Sequence, residues 1–468
     1  MRKHLLIMGL KISKIGITKD IISARGGLPL FLRYFAKIGG YQLLSSTISA
    51  KISSNSKGLQ INQFLKQIIA FFIDGTDCTM LSFDSKKQDK SYSTLLENTK
   101  TQMASSHQIK RFFRKLSVIN SLSFNTILHQ LFIWRLIIEK PSIIYLGIDT
   151  MVMDNDGSKK KEGNQLTYKK KNGFQPLHIS WKSFLIDVLF RNGKAHSNHG
   201  TDFPDRVEAI VKLIRKNYSK TVPIILRADS GFADGKVYLK FEEELNIHYV
   251  ITSKIYSTAK NYISQLNQYS FDTFIKGDYA WWYSEIGSSL LEWKKFRRAI
   301  FTKLQYDRNG QLLMDFDKPS SLIYTNIGNN KIADNKLRNA GYNHLFDAKE
   351  IIKLSHNRGA DELIHRSIKE LATKEQLPFK GFGMNRAYYF MLVFTHFIFE
   401  AYKRDISYDI EKTTIYPNTF RRKLIDFAVK IINSSRYVTM KVTEAIYIKI
   451  NIVQLWKRCQ SPPQIILS

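Results

Sequence analysis

Two apolar runs in the middle of the chain each lead into an aspartate. Residues 223–228 are apolar except for one arginine, and Asp229 and a Ser-Gly turn follow them. Residues 143–148 form a similar run that ends at Asp149. Short apolar runs bounded by turn residues are typical of buried strands, and open α/β sheets gather their chemistry at the carboxyl edge of such strands. The pattern therefore predicts two central strands, each with a carboxylate at that edge.

Strand and helix patterns alternate around these two runs. Apolar runs over 177–184 and 185–190 predict two more strands. A helix is predicted over 201–217, where apolar residues recur at helical spacing. A second helix over 234–245 and a last strand over 248–252 complete the pattern. The predicted order is strand, strand, strand, helix, strand, helix, strand, which indicates an α/β core.

The segments outside this core have different patterns. Residues 105–116 predict a basic amphipathic helix with a serine cap. This helix suits the recognition helix of a helix-turn-helix pair, and an ordinary solvated basic face fits it at least as well. Alternating segments rich in aromatic residues predict a β-rich insert, and helices resume from Asp347, including one through Ile432. The predicted divisions are a helical DNA-binding and assembly region (1–138), a core in two parts (139–255 and 336–410), the insert between them (256–335), and a basic carboxyl-terminal region (411–468).

The charge of the chain points to a polyanionic partner. The 468 residues include 71 Lys and Arg against 40 Asp and Glu, a net charge of +31 that is spread along most of the chain. A globular protein this basic is expected to bind a polyanion over a broad surface, and nucleic acid is the first candidate. A membrane surface is the competing candidate, but the longest apolar stretch, 387–398, is too short to span a bilayer. We therefore expect DNA as the partner and no membrane.

The two cysteines and the amino terminus bear on localisation. Cys78 and Cys459 provide neither a disulfide framework nor a set of zinc ligands. A short apolar run follows the basic residues at the amino terminus, but no small-residue cleavage site comes after it, so no signal peptide is predicted. Both features predict a cytoplasmic protein.

Candidate chemistry centres on carboxylates. If the two predicted strands are neighbours, Asp149 and Asp229 converge, and close carboxylates require a proton or a metal between them. Oxygen ligands suit Mg²⁺ or Mn²⁺, and two such ions about 3.5–4 Å apart serve phosphodiester chemistry. A third carboxylate is expected from Glu362, because Arg358 and Lys369 fall on the same face of its predicted helix. The alternatives are turn-forming or helix-capping aspartates and an amphipathic helix with a charged outer face.

The ordered strands, the β-rich insert and the spacing of Arg358, Glu362 and Lys369 resemble the DDE transposases of bacterial insertion sequences. The resemblance is closest to the insertion-sequence-four-like superfamily, particularly its thirteen-eighty group. It extends from about residue 20 to 445 and includes the segments 191–197 and 227–232. Ser355 stands where the family's helix signature has a tyrosine.

The resemblance implies an α/β fold with an RNase H-like catalytic core interrupted by the insert. It implies a Mg²⁺- or Mn²⁺-dependent transposase that uses two ions to cleave the ends of its element and to join the 3′ hydroxyls to target DNA. Asp149, Asp229 and Glu362 are then the catalytic and metal-binding residues.

The same resemblance assigns partners and DNA-contacting residues. Arg358 and Lys369 are expected at phosphates, while Trp281 or Trp282 either stacks on a flipped base or packs in the fold. Terminal inverted repeats and target DNA are the implied partners, bound by at least a dimer. A nuclease or resolvase without strand transfer and a non-catalytic DNA-binding protein are the alternatives.

Overall fold

The computed structural model describes most of the chain. The described residues are 14–52, 58–77, 79–158, 160–195, 202–288, 293, 295–306, 319–357, 359–372, 376–434 and 437–465. Side chains are described for the same residues except 268 and 359–362.

Fifteen strands lie in this part of the chain and form three sheets. They are β1 (Ile21–Ser23), β2 (Ile144–Thr150), β3 (Met153–Asp154), β4 (Gln165–Leu166), β5 (Asn172–Phe174), β6 (Leu177–Trp181), β7 (Phe184–Leu189), β8 (Ile224–Ala228), β9 (His248–Ser253), β10 (Asp272–Lys276), β11 (Tyr279–Ser288), β12 (Arg297–Tyr306), β13 (Ser320–Thr325), β14 (Val429–Asn433) and β15 (Val438–Val442).

Seventeen α-helices accompany these strands within the described ranges. They are α1 (Leu28–Lys37), α2 (Gly40–Ser49), α3 (Ile61–Asp74), α4 (Ser82–Gln88), α5 (Lys90–Leu95), α6 (Ser106–Leu116), α7 (Ser121–Glu139), α8 (Asp202–Asn217), α9 (Gly235–Leu239), α10 (Ser257–Gln265), α11 (Lys331–Asn339), α12 (Ala348–His356), α13 (Gly359–Ala372), α14 (Phe382–Asp405), α15 (Pro417–Phe420), α16 (Glu444–Lys449) and α17 (Ile452–Gln460). Single π-helical segments, Lys240–Leu245 and Arg421–Ile425, continue α9 and α15.

A nine-stranded mixed sheet organises the molecule. Its strand order is β10-β11-β12-β13-β9-β8-β2-β6-β7, so the strands of the predicted insert extend the same sheet as the central strands. Strand β8 is parallel to both β2 and β9, whereas β6 and β7 are antiparallel additions on the other side of β2. The predicted order of core strands and helices is confirmed, and the fold is mixed α/β.

The two faces of the central strands β2 and β8 contribute to different cores. Leu146 and Ile148 of β2 belong to the larger core, which also includes α7, α8 and α14. Tyr145 and Ile225 point the other way, into a smaller core that Ile351 of α12 covers. Helices α3, α6 and α7 pack on α14 or β7, so the amino-terminal helices share the larger core.

The predicted helix through Ile432 is wrong beyond residue 425. The helical segment ends at Ile425, and Val429–Asn433 is instead strand β14. Strand β14 pairs with β1 on one side and β15 on the other, and β1 lies about 400 residues earlier in the chain. A short segment with mixed propensity takes the structure that such a distant partner imposes.

Within the described ranges, no single helix has the length and apolar composition of a membrane span. Residues 100–116 and 121–139 pass that test only as a pair, and the pair is bent by 97°.

Candidate active site

Asp149 in β2 and Asp229 immediately after β8 lie at the same level of two adjacent parallel strands. Gly147 is aligned with Arg227, so the positions two residues further along each strand are the two aspartates. Neighbouring strands are about 4.8 Å apart. Side chains alternate between the two faces of a strand. Asp149 and Asp229 are each four residues beyond Tyr145 and Ile225, which face the smaller core, so both aspartates are on that face. The expectation that the two strands are neighbours is confirmed.

Each aspartate also bonds to nearby backbone. The Thr150 N–H donates to Oδ1 of Asp149 at 2.7 Å, and the Gly231 N–H donates to Oδ1 of Asp229 at 2.9 Å. The second bond caps the 3₁₀ turn Ser230–Phe232, so the capping interpretation holds for Asp229. Because an ionised carboxylate has two oxygens and about four lone-pair sites, capping and metal binding are compatible.

Helix α13 approaches this strand edge through a pair of histidines. His178 of β6 is aligned with Asp149 across the antiparallel β2–β6 pair. Its Nδ1 lies 3.4 Å from Nε2 of His365 on α13. Glu362 precedes His365 by three residues on this helix, and residues three apart are neighbours on a helix surface. The backbone position of Glu362 is therefore one helical turn from His365, while its side chain lies outside the described residues.

His178 is neutral in this contact. Burial lowers the pKa of His178 well below its usual range, and the nearby His365 lowers it further. Nε2 of His178 lies 2.7 Å from the Tyr389 hydroxyl, and burial raises the pKa of that phenol. A neutral imidazole thus links β6 to α13 and α14. The sequence patterns did not single out this pair, although a histidine inside a predicted buried strand is the signal that marks His178.

Of the two cations predicted at phosphates, Lys369 is described and Arg358 is not. Lys369 is half-buried on α13. The pKa of Asp154 in β3 is lowered first by a hydrogen bond from Lys171 and also by the charge of Lys369. Lys369 therefore lies near the small sheet β3-β5-β4, which follows β2 in the chain.

Trp281 and Trp282 point to opposite faces of β11, since they are consecutive in a strand. The Trp281 ring is 4.8 Å from the ring of His356, the last residue of α12. The Trp282 ring stacks at 6.0 Å on Phe271. Both indoles are half-buried, and Trp281 is on the sheet face that has the two aspartates.

The donor chemistry of this edge fits a hard divalent cation, because two carboxylates are aligned on adjacent strands. Among the described side chains, no group of three or more His, Cys, Asp or Glu residues is arranged to hold a metal ion. Glu362, the predicted third ligand, is not among those side chains.

A sequence profile described as transposase DDE domain group 1 matches residues 17–463. The chain belongs to this family. The match spans the helices, the core strands and the insert, so membership applies to nearly the whole chain.

Among solved structures, this DDE transposase is similar to a piggyBac transposase in a synaptic complex with hairpin DNA. The likeness has 12% sequence identity and a TM-score of 0.39, and it covers 86% of this chain and 79% of the other. No curated protein sequence matches the chain.

Proposed function

We propose that this DDE transposase cleaves the ends of a bacterial insertion sequence and joins the freed 3′ hydroxyls to target DNA. The observation that carries the proposal is the alignment of Asp149 with Asp229 on adjacent parallel strands. This is the arrangement expected of two carboxylates that share divalent cations. Family membership over residues 17–463 supports transposition as the reaction.

Asp149, Asp229 and Glu362 are the proposed ligands of two Mg²⁺ or Mn²⁺ ions. Such ions, when bound, supply charge neutralisation and activation of the attacking oxygen in phosphodiester chemistry. The protein's own contribution is to hold the two aspartates on rigid strands and to bring α13 against them through His178 and His365. The strands β7-β6-β2-β8-β9, with the helices that connect them, are the proposed RNase H-like core.

The proposed DNA contacts are made by cations and one aromatic residue. Lys369 and Arg358 are proposed to contact phosphates on either side of Glu362 along the helix. Trp281 is the better candidate of the tryptophan pair for stacking on a flipped base, because it shares a sheet face with the aspartates and lies against the end of α12.

The proposed partners are the terminal inverted repeats of the element and its target DNA. Bringing two ends together requires at least two copies of the chain, so a dimer or a larger assembly is proposed for the active complex. The insertion-sequence-four-like superfamily, and within it the thirteen-eighty group, is the proposed subfamily.

The deciding experiment incubates the purified protein with labelled DNA that carries the inverted repeats flanking its gene, in the presence of Mg²⁺. We expect cleavage at the repeat boundary and joined product. A parallel reaction in EDTA should give neither product but should retain DNA binding. Cleavage without joined product would overturn the transposase proposal and leave a nuclease or resolvase. Binding without cleavage would leave a non-catalytic DNA-binding protein, a reading that the two aligned aspartates disfavour.

A further inference from the structure

An exposed turn with three lysines and a tyrosine projects from the small sheet beside the candidate active site. It comprises residues 167–171 and is called the lysine turn below. Tyr168 is 61% exposed, and Lys169, Lys170 and Lys171 are exposed as well. None of these four residues has a role in the chemistry described above.

The lysine turn is held in one conformation by its own backbone. The Thr167 N–H and hydroxyl both donate to the Lys171 carbonyl at 2.9 Å, and the Lys170 N–H donates to the Thr167 carbonyl at 3.0 Å. Lys170 has a φ of 56°, in the left-handed region. Strands β4 and β5 pair directly on either side of the turn. An exposed segment that is ordered in this way loses little conformational freedom when it binds a ligand.

The sheet beneath the turn is fixed to the connection between α13 and α14. Oδ1 of the buried Asn155 accepts the Leu377 N–H at 3.0 Å. The Glu162 N–H donates to the Lys380 carbonyl at 2.8 Å, and the Glu162 carboxylate accepts the Phe382 N–H at 2.8 Å. These bonds tie the position of the turn to the helix that has Glu362.

The turn is also close to the candidate phosphate-binding residue Lys369. Nζ of Lys171 donates to Oδ2 of Asp154 at 2.7 Å, and the charge of Lys369 contributes to the lowered pKa of the same aspartate. Lys369 and Glu362 are seven residues apart, which is two helical turns, or about 10 Å along α13. Asp154 is therefore the residue that links the turn to α13, bonded to Lys171 of the turn and within the electrostatic reach of Lys369.

We propose that the lysine turn binds DNA next to the cleavage point, with Lys169 and Lys170 at phosphates and Tyr168 stacked on an unpaired base. The proposal rests on the proposed function and adds to it a binding element that the family signature does not include. We choose DNA as the ligand because the turn is basic and DNA is a polyanion. The turn also belongs to the sheet that directly follows β2, the strand with Asp149, which is proposed to act on a phosphodiester. Aromatic side chains among lysines are the combination that binds single strands without sequence preference.

The first test measures binding by fluorescence anisotropy over a range of salt concentrations, with a labelled duplex of arbitrary sequence. The double variant Lys169→Gln/Lys170→Gln should reduce the slope of log K against log salt by about 2, since each duplex phosphate contact contributes about 0.9. The matched control is Lys216→Gln/Lys220→Gln, which removes two exposed lysines at the end of α8 and beyond it. The control should keep the wild-type slope. Equal slopes for both double variants would overturn the proposal and leave a solvated turn.

The second test isolates the tyrosine with two probes, a blunt duplex and the same duplex with a single-stranded extension. Tyr168→Ala should weaken binding of the extended probe by roughly 5- to 150-fold, the range expected for one base–aromatic stack. Binding of the blunt duplex should stay within about twofold. Tyr168→Trp should bind the extended probe as tightly as wild type does, because tryptophan can also stack on a base. If the tyrosine had only a structural role, its substitutions would change binding of both probes equally. Equal losses on both probes, or no loss on either, would overturn the stacking assignment.

Cleavage of inverted-repeat DNA separates this proposal from the proposed function. If wild-type protein cleaves and joins DNA but the turn variants bind and react as wild type does, the lysine turn has no role in DNA binding and the proposed function stands. If wild-type protein binds DNA without cleaving it, the proposed function fails, and the two binding tests still decide the role of the turn. Thermal unfolding of each variant should match wild type, because the substituted side chains are exposed.

Discussion

Neutralising any one of the three candidate acids should abolish cleavage and joining together. The changes are Asp149→Asn, Asp229→Asn and Glu362→Gln, each of which keeps the shape of the side chain and removes one negative charge. The two asparagines retain the oxygen that accepts the N–H of Thr150 or Gly231, so the local backbone bonds at 2.7 and 2.9 Å survive the substitution. Only the charge that faces the proposed cations is lost.

The expected size of the effect follows from the chemistry of the site. Divalent cations contribute several kcal/mol to stabilising charge in a phosphoryl transition state, and each 1.36 kcal/mol corresponds to a tenfold change in rate. A loss of about 4 kcal/mol would slow both steps roughly a thousandfold. Stability should hold or rise slightly. Two half-exposed carboxylates about 5 Å apart repel by roughly 0.8 kcal/mol in water, and each asparagine removes that repulsion in the metal-free protein.

The assay follows end cleavage and strand joining on labelled inverted-repeat DNA, with anisotropy as the measure of binding. Binding should stay within a few-fold of wild type for all three variants. Glu370→Gln is the matched control on α13, about 80° around the helix from Glu362. Glu370 accepts a hydrogen bond from Nε of Arg366 at one carboxylate oxygen and from the Asn418 N–H at the other. The single oxygen of glutamine can keep one of these bonds, and neither donor belongs to a candidate catalytic residue. The control should therefore remain active.

Three outcomes would refute this reasoning. An active Glu362→Gln protein would show that the third ligand is another residue. Inactivity of Glu370→Gln with a normal melting temperature would show that the face of α13 with Glu370 serves the reaction. Loss of cleavage with retained joining, or the reverse, would contradict the proposal that one pair of ions serves both steps.

Three further predictions concern specificity, packing and pH. Arg111→Ala/Arg114→Ala on the exposed face of α6 should abolish the preference for inverted-repeat over scrambled duplex in competition binding while leaving weak general binding; an unchanged preference would place end recognition elsewhere. Gly193→Ala should destabilise the protein by about 1–3 kcal/mol in urea unfolding, because the added methyl would collide with the carbonyl oxygens of Gln165 and Gly173. Burial lowers the pKa of His396 to about 4. As the pH falls, this imidazole is therefore protonated in the unfolded chain before it is protonated in the folded protein, and the free energy of unfolding should fall on the order of 3 kcal/mol between pH 6.5 and pH 4. The His396→Gln variant should lose less stability over the same pH range, measured by urea unfolding at each pH, if His396 is the group responsible.

The central strands were predictable because their signal is local. Apolar runs ending in Asp149 and Asp229 match strands that the structure ends within one residue of each aspartate. Their adjacency was a condition of the sequence argument, and the structure meets it, because β2 and β8 pair in parallel although β3 to β7 and α8 lie between them in the chain. Helix α6 was predictable for a similar reason, because Ser105 and Gln108 form the capping box that fixes its start.

The parts that escaped prediction depend on distant contacts. Strand β14 forms where a helix was predicted, because β1 and β15 supply its hydrogen bonds. The small sheet β3-β5-β4 has strands of two or three residues, too short for a period-two pattern to show. Its position is set by Asn155, whose side chain bonds to the Leu377 N–H more than 200 residues later. Neither distant contact leaves a signal in the local sequence.

The three candidate acids are held in place by two different kinds of structure. Asp149 and Asp229 are fixed by strand register, which backbone hydrogen bonds specify and which a side-chain substitution nearby does not alter. The backbone position of Glu362 is set by the packing of α13, through buried Ile364 and Ile368 and through the contact of His365 with His178. A helix held by side-chain packing can shift more readily than a central strand can change register. We therefore expect bound DNA to adjust the site through α13, the helix with the proposed third acid. The bonds from the small sheet to Leu377 and Phe382 fix the lysine turn to the chain that follows this helix.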